Sequence, residues 1–153
     1  MTLLLTNAFL TFAITAAASF GADNTLGAWK LNVGRSTRTS IKSETMIREA
    51  VKGGVKVTTT GEGANGDPIN FSYTAKYDGK EYPVIGVGAP FDSISIKQID
   101  SNKLIEERKK TGGSFQATVP TVVSIDGRTL TSTASGTDAN GKAFSNTLIF
   151  EKQ

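Results

Sequence analysis

Side chains able to do covalent chemistry are scarce in this sequence. It contains no histidine and no cysteine. That excludes an imidazole base, a thiolate nucleophile, a disulfide and an ordinary structural zinc site. Serine chemistry has no recognisable frame, since neither a Gly-x-Ser-x-Gly elbow nor a Ser-x-x-Lys pair is present. Paired carboxylates could do acid–base work, but Glu106 and Glu107 are adjacent and on a strand would point to opposite faces. Gly136-x-x-x-x-Gly141-Lys142 matches most of a phosphate loop. Ala143 stands where Ser or Thr should meet magnesium, and the residues after it read as a strand, so the stretch is a hairpin turn. Asp138-x-Asn140 lacks the further oxygens of a calcium loop. Asn70-Phe71-Ser72 is a glycosylation triplet inside a strand pattern and reads as chance. The expectation is a protein that is not an enzyme and holds no cofactor and no metal.

Charge offers one sharper feature. Arg108-Lys109-Lys110 is a basic cluster with Lys103 nearby. Glu106 and Arg108 share a strand face with Leu104. If that face is inward, a charged pair lies inside the fold, where it marks a ligand site or an internal ion pair. If Ile105 is inward instead, both are solvated. The balance of 17 basic to 14 acidic residues, net +3, is too mild to imply a nucleic-acid partner.

These residues must be carried by strands. Val55, Val57 and Thr59 alternate with polar neighbours, as do Ile69, Phe71, Tyr73, Ala75 and Tyr77, and Ile94 with Ile96. Gly53-Gly54, Asn65-Gly66, Asp78-Gly79, Gly112-Gly113, Asp126-Gly127 and Asn140-Gly141 supply turns between the runs. The pattern predicts ten strands, at 28–33, 43–50, 55–62, 69–77, 81–85, 92–99, 103–110, 114–124, 129–137 and 143–151. No amphipathic helix interrupts them. The fold class is all-β: an antiparallel up-and-down meander closed into a barrel of about eight to ten strands, because closure removes exposed edges. Broken alternation around Pro120 predicts a bulge there.

Residues 1–22 carry no charged side chain, and an apolar run ends in Ala16-Ala17-Ala18. This predicts a signal peptide and short leader over 1–22, cleaved most simply after Ala18, and a single barrel domain over 23–153. The expected location is periplasmic or secreted. No integral membrane span is expected in the mature chain, which should be a monomer.

Three stretches carry a family resemblance. Gly27-x-Trp29-Lys30-Leu31-Asn32, Lys76-Tyr77-Asp78-Gly79-Lys80-x-Tyr82-Pro83 and Gly136-Thr137-Asp138-Ala139-x-Gly141 resemble small exported bacterial proteins of lipocalin-like, calycin type, whose function is unassigned. The resemblance spans the mature chain. It implies that Trp29 plugs one end of the barrel with Lys152 packed across it as a cation–π partner. It implies non-catalytic binding of a small apolar molecule. Phe71, Tyr73, Tyr77 and Phe144 are the expected wall residues, with Arg108 as a polar contact. Fatty-acid-binding proteins of this group hold a carboxylate with Arg-x-Tyr on the final strand. The matching positions here are Leu148 and Phe150, so neutral ligands are expected to be preferred unless Arg108 turns inward. The alternative is a packed barrel without a cavity, acting through its surface on a protein or cell-envelope partner.

Overall fold

The computed structural model describes residues 21–153. The predicted signal peptide therefore lies outside the described residues, apart from Gly21 and Ala22. Eleven strands follow one another: β1 (Gly27–Leu31), β2 (Ile41–Val51), β3 (Gly54–Gly63), β4 (Pro68–Lys76), β5 (Tyr82–Pro83), β6 (Ile85–Val87), β7 (Ser93–Asp100), β8 (Lys103–Lys109), β9 (Gln116–Val123), β10 (Thr129–Thr137) and β11 (Ala143–Lys152). The only helical element among the described residues is a single 3₁₀ turn, Val33–Arg35. Every strand pair is antiparallel, and all eleven strands belong to one sheet ordered β5-β7-β8-β9-β10-β11-β1-β2-β3-β4-β6. The result is a nearly closed all-β barrel.

The seam explains why there are eleven strands. The predicted strand 81–85 divides at Val84. Tyr82–Pro83 pairs with β7, and Ile85–Val87 pairs with β4. The two ends of the sheet are thus separated by one residue of chain, and each is only two or three residues long. Short terminal strands expose little unpaired backbone. Gly86 makes this seam possible. Its φ is +120°, and a Cβ there would stand 2.2 Å from the carbonyl oxygen of Asn70. Only glycine accepts both constraints.

Pro120 does not produce a bulge. β8 and β9 keep one register from Lys103↔Val122 to Lys109↔Gln116. On its other side, pairing with β10 stops after Ser132↔Thr121 and resumes at Ser135↔Thr118. Proline has no N–H to give the ladder, so one ladder is interrupted and the strand stays straight in register. Register shifts occur instead between Ile41 and Ser43, and between Gln98 and Asp100.

Alternation fixes which side chains fill the interior. Trp29, Val55, Val57, Ile94, Ile96, Leu104 and Leu130 are all 0–1 % exposed. The two ends of the barrel differ. At one end lie the tight turns after β2, β4, β7 and β9, and residues Asp23–Leu26 cross it. Asn24 N–H donates to Ser101 O at 2.8 Å, and Trp29 Nε1–H donates to Thr25 O at 2.8 Å. Trp29 fills this closed end, and Lys152 Nζ lies 5.1 Å from its ring centroid. The other end carries the two longest connections, 32–40 and 110–115, with 64–67, 88–92 and 138–142 beside them.

Candidate functional site

The end with the longer connections opens into a cavity of about 690 Å³. Its floor and walls come from inward positions of β8 to β11, among them Ala117, Val119, Ala134 and Leu148. The small side chains are what leave the space, because alanines stand where larger residues would have met across the barrel. Its rim is made by Thr37–Ser40, Pro90 and Asp138–Asn140. The 32–40 connection is tied down along β11. Thr37 N–H donates to Thr147 O at 2.9 Å, Thr147 N–H donates to Thr37 Oγ1 at 2.7 Å, and Ile149 N–H donates to Ser36 Oγ at 3.0 Å.

One wall is aromatic. Phe91, Phe115 and Phe144 form a stacked ladder, with centroids 6.2 and 5.8 Å apart and interplanar angles of 22° and 24°. Phe71 meets Phe91 edge-on at 5.8 Å. The ladder begins beneath a cation, since the Arg108 guanidinium carbon lies 4.9 Å from the Phe91 centroid.

Below this cavity the barrel buries charge. Glu106 and Arg108 face inward with Leu104, and Glu107 faces solvent. Arg108 donates to Glu106 Oε2 from Nε at 2.9 Å and from Nη2 at 2.5 Å. Arg48, 2 % exposed, places Nη1 3.5 Å from Glu106 Oε1. Tyr73 O–H donates to that same oxygen at 3.4 Å. Arg48 Nε and Nη2 have no hydrogen-bond partner. These groups surround a small chamber of about 30 Å³, which adjoins the main cavity through their shared lining residues Phe91, Arg108, Ser132 and Leu148. That volume has room for one water molecule. Towards the closed end, Tyr77 O–H donates to Asp23 Oδ2.

The electrostatics follow from burial and pairing. Burial pushes the Glu106 carboxyl up, but the Arg108 and Arg48 guanidiniums outweigh it and hold the group below its ordinary value. Tyr73 is raised, by burial first and then by the Glu106 charge, so it stays a neutral phenol. Burial raises Glu44 and lowers Arg38, each partly opposed by the charge of the other. Arg38 reaches the rim from the 32–40 connection, and its Nε–H donates to Ser40 Oγ at 2.9 Å. No carboxylate lies within 4 Å of Arg38 among the described residues.

The residues named from sequence divide among these places. Arg108 and Phe144 line the main cavity. Phe71 and Tyr73 line the chamber beneath it. Tyr77 lines neither, because it follows the last residue of β4 in the turn at Asp78-Gly79 and so lies at the opposite end of the barrel. Trp29 and Lys152 pack together there. Of the basic cluster, Lys109 and Lys110 are solvated, pairing with Glu81 at 2.8 Å and Asp92 at 3.4 Å. Sequence reading passed over Arg38, Arg48, Phe91 and Phe115. Arg48 had a signal, because it shares strand parity with Met46. The others sit in connections, where no periodicity says which way a side chain points.

This arrangement can enclose an apolar molecule and present guanidinium donors to it. Among the described residues no cluster of acidic side chains could hold a metal, and no helix is long and apolar enough to cross a membrane. No family model matches the sequence, and no curated protein and no solved structure is significantly similar to it.

Proposed function

We propose that this chain is an exported, calycin-like barrel that binds a small, largely apolar molecule without catalysis. One observation carries the reading. An open cavity of about 690 Å³ has a phenylalanine ladder for one wall, and ligand sites are commonly apolar hollows of about 300–1,000 Å³ with a few polar groups. The test is native mass spectrometry of protein purified from its own host. The expected result is a co-purified small molecule, released by Phe144→Asp. Apo protein only, with no binding of any apolar probe in titration, would remove the reading.

A second reading rests on the surface. Ile85 and Val87, exposed by 70 % and 55 %, project from the short strand β6. On this reading the barrel acts on a protein or cell-envelope partner through that edge. Ile85→Ser with Val87→Ser would then abolish function while leaving small-molecule binding intact.

A further inference from the structure

Resting on the binding role proposed above, we propose that the cavity takes a planar aromatic carboxylate, its ring beside the Phe91–Phe115–Phe144 ladder and its anionic group on Arg38 and Arg108.

The anionic end is argued from charge and free donors. Arg38 and Arg108 line the same cavity, one from the rim and one from β8, and the Arg108 charge disfavours that of Arg38. Arg108 commits Nε and Nη2 to Glu106, and Arg38 commits Nε to Ser40. Both Nη nitrogens of Arg38 and Nη1 of Arg108 make no hydrogen bond among the described residues. Arg48 lies behind them with two buried, unpartnered donors. Against these three guanidiniums stand two carboxylates, Glu106 and Glu44, and burial favours the uncharged form of Glu44. Asp23, held by Tyr77 and Thr25, acts on Arg48 from the far end of the barrel. Among the described residues the only acid in the main cavity's lining is Asp138, whose Oδ1 accepts from the Asn140 and Lys142 amides. The site therefore presents spare cationic donors in a partly desolvated setting, where charge-assisted hydrogen bonds are strongest.

The aromatic body is argued from shape. The ladder runs away from the Arg108–Phe91 contact at 4.9 Å, and its outer ring, Phe144, is half-buried at the cavity wall. A flat ring with an acidic substituent lies beside the ladder, at the Phe91 and Phe115 end that adjoins Arg108, with its carboxylate towards the guanidiniums. Stacked and edge-on aromatic pairs favour such a ring over an alkyl chain of equal area.

The experiment is calorimetric titration at neutral pH with 2-naphthoate, 2-naphthalenemethanol and decanoate. Naphthoate should bind roughly tenfold or more tightly than the alcohol, as one charge-assisted hydrogen bond implies, and more tightly than decanoate. Arg38→Gln should weaken naphthoate far more than the alcohol and so remove the preference for the acid. Equal binding of naphthoate and alcohol would overturn the anionic site while leaving the apolar-binding role standing. Decanoate matching naphthoate would overturn the aromatic class. Failure of all three ligands to bind would take the binding role down as well.

Discussion

Glu106 is the residue on which the interior depends most. Two guanidiniums share its carboxylate inside a barrel that buries it to 1 % exposure. Removing one member of a buried ion group strands the others, which typically costs about 3–5 kcal/mol. Glu106→Gln should lose that much stability in urea unfolding, whereas Glu107→Gln, one residue along and solvated, should change little. Acid should reveal the same residue. The folded-state value of Glu106 lies below the ordinary 4.5, so the unfolded chain takes up the proton first. Its contribution is complete above about pH 4.5 and is lost as pH falls through the lower folded value. Glu44, raised by burial, has the opposite sign, because its charge costs stability as pH rises through its folded value. The native protein should therefore lose stability below pH 4.5 in unfolding measurements across pH, and Glu106→Gln should show a shallower slope, the remainder coming from surface carboxylates such as Asp92 and Asp126 that hydrogen bonds also hold low. Trp29 matters by volume instead. It is fully buried with its indole N–H satisfied by Thr25, so Trp29→Ala should cost roughly 3–5 kcal/mol. As the sole tryptophan, its native emission should be blue-shifted and poorly quenched by iodide.

At the scale of the element, the strands were legible because one face of each is wet. Alternation located β3, β4, β7 and β8 to within a few residues, and Asn-Gly or Asp-Gly turns located the β3–β4, β9–β10 and β10–β11 hairpins. Alternation does not say which parity is inward when a run mixes Leu, Glu and Arg. The register of β8 was open for that reason, and it decided whether Arg108 reached the cavity. It was settled by neighbours: Leu104 and Glu106 pair across the barrel wall with Thr121 and Val119, themselves inward. The seam was not legible either, since two- and three-residue strands leave no period to count. Gly86 gives the seam its test. Gly86→Ala adds a Cβ that overlaps the Asn70 carbonyl at a φ of +120°. It should cost clearly more than the roughly 1 kcal/mol of a positive-φ glycine replaced in open space. Gly53→Ala, where a Cβ would meet nothing within 4 Å, is the control. Thermal unfolding of the two variants should separate them, and equal losses would mean that the β4–β6 closure contributes nothing.

At the scale of the whole molecule, the barrel divides its work between its ends. The tight-turn end is packed by Trp29 and crossed by Asp23–Leu26, and the other end is left hollow. The crossing segment bears on export. Asp23 Oδ1 accepts from the Thr25 amide at 2.9 Å, its other oxygen accepts from Tyr77, and Thr25 O accepts from Trp29. Cleavage after Asp23 would leave the half-buried Tyr77 phenol without its Asp23 partner, and cleavage after Thr25 would also leave the buried Trp29 indole N–H without Thr25 O, at about 1–3 kcal/mol for each unpaired group. Processing before Ser19 would leave part of the apolar leader on an exported protein. The mature chain is therefore expected to begin between Ser19 and Asp23, and N-terminal sequencing of the exported fraction checks it. A chain expressed from Asp23 should match the stability of the exported protein, and one expressed from Leu26 should fall measurably below it. An exported protein that still carried Met1 would contradict the reading of residues 1–22 as a cleaved leader.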